Sequence, residues 1–96
     1  MALLTEHDIE TRLTALPGWT SGQGSIAKQF TLPTFHRAIA FVVQIGMLSD
    51  VADHHPDIDI RYNVVKVMLS THSAGGVTEK DIALATQIET AGAGVP

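Results

Sequence analysis

Cysteine is absent from the 96 residues, so no disulfide frame, thiolate metal site or cysteine nucleophile is on offer, and a reducing compartment is permitted. Basic residues are scarce. The six of them, Arg12, Lys28, Arg37, Arg61, Lys66 and Lys80, are scattered, and the formal net charge is -4. A nucleic-acid backbone is therefore not an expected partner. Long apolar runs are missing too: the longest, Ala38 to Val43, falls far short of the roughly 20 residues that cross a bilayer. Met1 to Leu4 passes at once into the polar Thr5-Glu6-His7-Asp8, which is no secretory signal. The expectation is a soluble, cytoplasmic protein without membrane contact.

What remains is 45% hydrophobic and 17% charged residues, the composition of an ordinary globular domain, in a chain long enough for one core and too short for two. A single domain over residues 1–96 is expected. Thr5 caps a first helix carrying Ile9, Leu13 and Leu16 until Pro17-Gly18 stops it. A short strand at Trp19, a turn over Gly22 to Gly24 and an alternating strand from Ser25 to Leu32 follow, with Lys28 on the apolar face.

Thr34 caps a second helix. Its apolar stripe is read as Phe35, Ala38, Ile39, Val42, Ile45 and Gly46, widened by Phe41, Leu48 and Ala52, and so wide a surface predicts burial on more than one side. The helix ends near Ala52 or Asp53, because Pro56 forces its predecessor out of helical geometry. Ile58, Ile60 and Tyr62 alternate, as do Val65, Val67 and Leu69 after a turn at Asn63-Val64, giving two adjacent antiparallel strands. Gly75-Gly76 breaks the pattern, Thr78 and Asp81 open a third helix that turns Ile82, Ala85 and Ile88 inward, and Ala91 to Pro96 reads as a mobile tail. The order α-β-β-α-β-β-α predicts an α+β domain: a four-stranded antiparallel sheet with three helices packed on one face.

Three of the five histidines stand at element ends. His54 and His55 close the second helix and His72 closes the last strand; if those ends adjoin, three imidazoles converge. Such a cluster can hold neutral and protonated rings together, as concerted acid and base catalysis requires. Asp50 lies four residues before His54, on its helical face if the helix reaches that far, where a cation would offset the unfavourable carboxylate in a last turn. Asp81 opens the third helix, where a carboxylate is favoured by the macrodipole or as part of a capping box. Trp19 and Tyr62 read as half-buried packing residues, and His7 and His36 as surface residues.

The run Asp50-x3-His54-His55-Pro56-x5-Tyr62-x9-His72-x8-Asp81, with Gly18-Trp19, Tyr62-Asn63, Leu69-Ser70-Thr71-His72 and the Thr78 to Ile88 helix, resembles the pterin-4a-carbinolamine dehydratases. That family is also known for a dimerisation cofactor of a homeodomain transcription factor. The resemblance spans almost the whole chain; the acid at position 50 departs from the Glu often found there. It implies dehydration of 4a-hydroxytetrahydropterin to quinonoid dihydropterin, the recycling step after aromatic amino-acid hydroxylation, with no metal and no organic cofactor. It also implies a homodimer or homotetramer. On the resemblance, His54, His55 and His72 are the catalytic histidines, Asp50 and Asp81 their supporting acids, and Pro56, Thr71, Ser73 and Ala74 join the histidines in lining the pterin site. Which histidine is acid and which base stays open. Two alternatives stand beside it: a non-catalytic assembly module on the same scaffold, and a divalent-metal site built from the histidines with Asp50, Asp53, Asp57 and Asp59.

Overall fold

A computed structural model describes residues 2–93. The elements run α1 (Glu6–Leu13), β1 (Thr20–Gly22), β2 (Ser25–Thr31), α2 (Phe35–Ala52), β3 (Asp57–Arg61), β4 (Val64–Leu69) and α3 (Glu79–Ala93), with a 3₁₀ turn at His72–Ala74. Ala91 to Ala93 thus belong to α3 rather than to a tail, and residues 94–96 lie outside the described range. The four strands form one antiparallel sheet in the order β1-β2-β4-β3.

Local chemistry sets each boundary. Thr5 and Asp8 form a reciprocal capping box at the start of α1, which ends at Leu13 because a turn takes over there, Leu16 N–H donating to the Leu13 carbonyl. Leu16 is still buried, but from the turn. Gln23 and Gly24, both at positive φ, join β1 to β2 in the two-residue geometry that matches strand twist. The β3–β4 turn falls on Tyr62-Asn63, one residue earlier than the alternation suggests. Asn63 is locked to Leu32 by two hydrogen bonds, its Nδ2 donating to the Leu32 carbonyl and its own carbonyl accepting Leu32 N–H. Tyr62 consequently takes a positive φ and stands 71% exposed, not half-buried.

One core joins the layers. Ile26 of β2 and Val65, Val67 and Leu69 of β4 face Ala38, Phe41 and Ile45 of α2, Ile82, Leu84, Ala85 and Ile88 of α3, and Ile9 of α1. Trp19, Phe30 and Phe41 continue it as edge-to-face pairs. Arg12 of α1 grips both carboxylate oxygens of Glu79 on α3, which raises the guanidinium pKa further above its already high range; the pair is exposed and adds little to stability.

The buried stripe of α2 is Ala38, Phe41, Ile45 and Ser49, and Ser49 is accommodated because its hydroxyl donates back to the Ile45 carbonyl at 2.7 Å. Phe35 and Ile39, expected on that stripe, lie on the opposite side with Val43, Met47 and Val51, spaced every four residues and all exposed, Val51 by 90%. In length and composition α2 could cross a bilayer, yet its buried stripe packs on α3 and β4 as a core helix does.

Candidate active site

A left-handed residue ends α2. Asp53 sits at φ 50, its N–H donating to the Asp50 carbonyl and the next N–H, that of His54, to the Ser49 carbonyl. This is the Schellman pattern, built on an Asp where Gly is commonest; a short polar side chain tolerates that conformation better than a branched one. The turn carries residue 54 off the helical face.

The pairing of acids and histidines changes as a result. His54 Nε2 lies 2.5 Å from Asp81 Oδ1, with the carboxylate fully buried and the imidazole nearly so. Asp50, expected beside His54, instead meets His55 Nε2 at 3.0 Å, and both partners of that pair are largely exposed. An i,i+4 contact requires the helix to continue through residue 54, and the turn at Asp53 stops it.

Asp81 is held by several donors. Its Oδ2 accepts Thr78 N–H at 2.9 Å and the Thr71 hydroxyl at 2.8 Å. The first contact is half of a capping box, so the structural and the chemical reasons for an acid at position 81 coexist. The α3 N-terminus adds a favourable field for the carboxylate. Thr71 is fixed by its backbone as well, bridging Gly76 across the loop where Gly75 at φ 80 makes the reversal.

His54, His55 and His72, whose positions at element ends suggested convergence, line one cleft of about 280 Å³ with Thr71 and Ser73, which the resemblance implied, and with Asp53, Ser70 and Lys80, which neither singled out for the pterin site. That volume lies just below the usual range for small-molecule clefts, roughly 300–1,000 Å³. Asp81 stands behind His54, Asp50 pairs with His55, and Pro56 and Ala74, both half-buried, are not among the lining side chains. Lys80 reaches the cleft because it is the residue before Asp81 in the first turn of α3; a cation there carried no pattern of its own. A larger cleft of about 430 Å³ under α1 holds Glu6 and Glu10 and no imidazole. Among the described residues no three His, Asp or Glu side chains are placed to share a metal ion, and Asp57 and Asp59 lie along β3.

Residues 2–91 match the family described as Pterin 4 alpha carbinolamine dehydratase. The chain belongs to the pterin-4a-carbinolamine dehydratase family. A relative from Roseiflexus castenholzii, provisionally named a pterin-4-alpha-carbinolamine dehydratase, is 54% identical over 88 residues, covering 92% of this chain and 95% of that protein. Another with the same provisional name, from Mycobacteroides abscessus, is 48% identical over 90 residues, covering 94% and 96%. The crystal structure of a transcriptional coactivator/pterin dehydratase from Brucella melitensis superposes with a TM-score of 0.90 at 36% identity, covering 95% of this chain and 99% of that one. A pterin dehydratase-like protein identified as a RuBisCO assembly factor in the alpha-carboxysome shares the fold alone, with a TM-score of 0.65 and 20% identity over 81% of this chain and 89% of that one. The family's α+β architecture agrees with the sheet and helices described here.

Proposed function

We propose that this chain is a cytoplasmic 4a-hydroxytetrahydropterin dehydratase that works by histidine acid-base chemistry. One observation carries the proposal: a buried Asp81 carboxylate grips Nε2 of His54, whose ring opens on the cleft that His55 and His72 also line. Family membership and the provisional names of the relatives support the same lyase reaction.

Dehydration needs one proton delivered and one removed. The C4a hydroxyl leaves as water once protonated, and loss of the N5 proton lets the nitrogen electron pair form the C4a=N5 bond of the quinonoid product. Substrate equals product plus water, so no oxidant or reductant enters. A ring backed by a carboxylate is suited to accept a proton, since the imidazolium that forms is stabilised where it forms. We therefore assign His54 as base toward N5 and His72, which has no carboxylate partner among the described residues, as acid toward the leaving hydroxyl. His55, paired with Asp50 at the cleft edge, holds the ring.

The test generates the 4a-carbinolamine in situ and follows quinonoid dihydropterin by absorbance. The protein should accelerate its appearance, and His54→Ala or His72→Ala should each lower kcat by roughly 10²- to 10⁴-fold. No acceleration by the wild type, or wild-type rates in both variants, would end this reading.

The bare stripe of Phe35, Ile39, Val43, Met47 and Val51 favours a second feature, self-association into a homodimer or homotetramer. Light scattering at micromolar concentration should show the oligomer, and Val43→Glu should dissociate it; a wild-type monomer would refute the assembly.

A further inference from the structure

The cleft has two unlike sides. Asp53, His54 and His55 come to it from the exit of α2, whereas the segment from the end of β4 to the start of α3 supplies Ser70, Ser73 and Lys80 besides His72. Lys80 enters the hydrogen-bond network only through its backbone N–H, which donates to Thr78 Oγ1. Among the described residues its ammonium has no partner, and neither have the hydroxyls of Ser70 and Ser73. The two carboxylates that flank Lys80 in sequence are engaged elsewhere. Glu79 holds Arg12 on both oxygens, while Asp81 accepts Thr71 O–H and Thr78 N–H on Oδ2 and meets His54 on Oδ1. Asp53, the carboxylate that lines the cleft, forms no ion pair with Lys80 among the described residues.

Stability does not ask for a cation at this position. In the first turn of a helix an ammonium faces the positive end of the macrodipole, so Lys80 costs α3 a little rather than supporting it. Two hydroxyl donors and an ammonium, gathered on one side of a cleft with the adjacent carboxylates already spent, match the oxygens of an anion. We infer that the pterin taken by this cleft carries an anionic substituent, a carboxylate or a phosphate ester, and that Lys80 with Ser70 and Ser73 forms the specificity-determining site for it. The inference rests on the pterin reading above and narrows its substrate class. The carbonyl of a neutral pterin ring can accept one hydrogen from the ammonium but leaves its charge unpaired; an anionic substituent pairs it.

The probes are stable fluorescent pterins: neutral 6-hydroxymethylpterin, its phosphate monoester, and pterin-6-carboxylate. Kd for each is measured by fluorescence titration on wild type, Lys80→Gln, Lys80→Arg and the double variant Ser70→Ala with Ser73→Ala, and the dehydration assay is run in parallel. Wild type should bind at least one anionic probe about five- to tenfold tighter than the neutral one at low ionic strength, and the advantage should shrink as salt is added. A gain confined to the ester or to the carboxylate names which anion the site takes. Lys80→Arg should keep the advantage, and Lys80→Gln should bring the ratio of affinities to about one. The double serine variant should lower the ratio by about two- to threefold. Wild-type affinity no higher for either anionic probe than for the neutral one, or an advantage that Lys80→Gln or the double serine variant leaves intact, would overturn the inference. Anion-selective binding by a protein that does not accelerate dehydration would count against the proposed reaction alone. Dehydration without that selectivity would count against the anion site alone.

Discussion

Two carboxylates on α3 face inward, and their partners divide them. Glu89 accepts Lys28 Nζ on both oxygens, at 2.7 and 3.0 Å, and Trp19 Nε1 at 2.9 Å. The third ammonium hydrogen goes to the Pro17 carbonyl at 2.8 Å, and the cation lies 4.8 Å from the Phe30 ring centroid. Every hydrogen of that lysine is used. Asp81 is more deeply buried, yet its cation-forming partner is an imidazole with one nitrogen left over, beside a cleft. Both regions give a carboxylate side-chain hydrogen-bond partners. Only the Asp81 partner keeps a ring nitrogen at a cleft, and the proposed proton transfer uses that nitrogen.

The Asp81 side of the comparison gives the largest expected effect. Asp81→Asn removes the acceptor that fixes Nε2–H and stabilises the imidazolium, so kcat should fall by roughly 10²-fold or more in the dehydration assay. Glu89→Gln should behave in the opposite way. It leaves a half-buried lysine without its charge partner, for a loss of about 1–3 kcal/mol, read as a Tm lowered by several degrees at fixed protomer concentration. Its kcat per folded molecule should stay within about twofold of wild type, and a large kcat loss there would erase the contrast. The smallest effect belongs to Asp50→Asn. The Asp50–His55 pair is exposed, so KM should rise by no more than about threefold with kcat unchanged.

Periodicity and end signals made the α+β order legible, since Thr5, Thr34, Pro56 and Gly75-Gly76 each act over a few residues. The convergence of His54, His55 and His72 was legible for the same reason, as all three stand at element ends. What could not be read was decided by contacts between distant segments or by backbone reversals. Asp53 adopting a left-handed turn on a non-glycine residue is what moved the Asp50 contact from His54 to His55. Asn63 locking onto Leu32, thirty-one positions away in sequence, moved the hairpin turn. On α2 both sides are apolar, so composition could not tell the buried Ala38–Phe41–Ile45 stripe from the bare Ile39–Val43–Met47 one. Lys28 on an apolar face looked like a flaw in the pattern until Glu89 of α3 supplied its partner.

If Asp81 acts through His54, a double-mutant cycle in the dehydration assay will show it. The rates to compare are those of wild type, His54→Ala, Asp81→Asn and the double variant, each shown to be folded. The double variant should be no slower than His54→Ala alone, because the carboxylate has nothing left to orient. Losses that multiply across the two sites would contradict it.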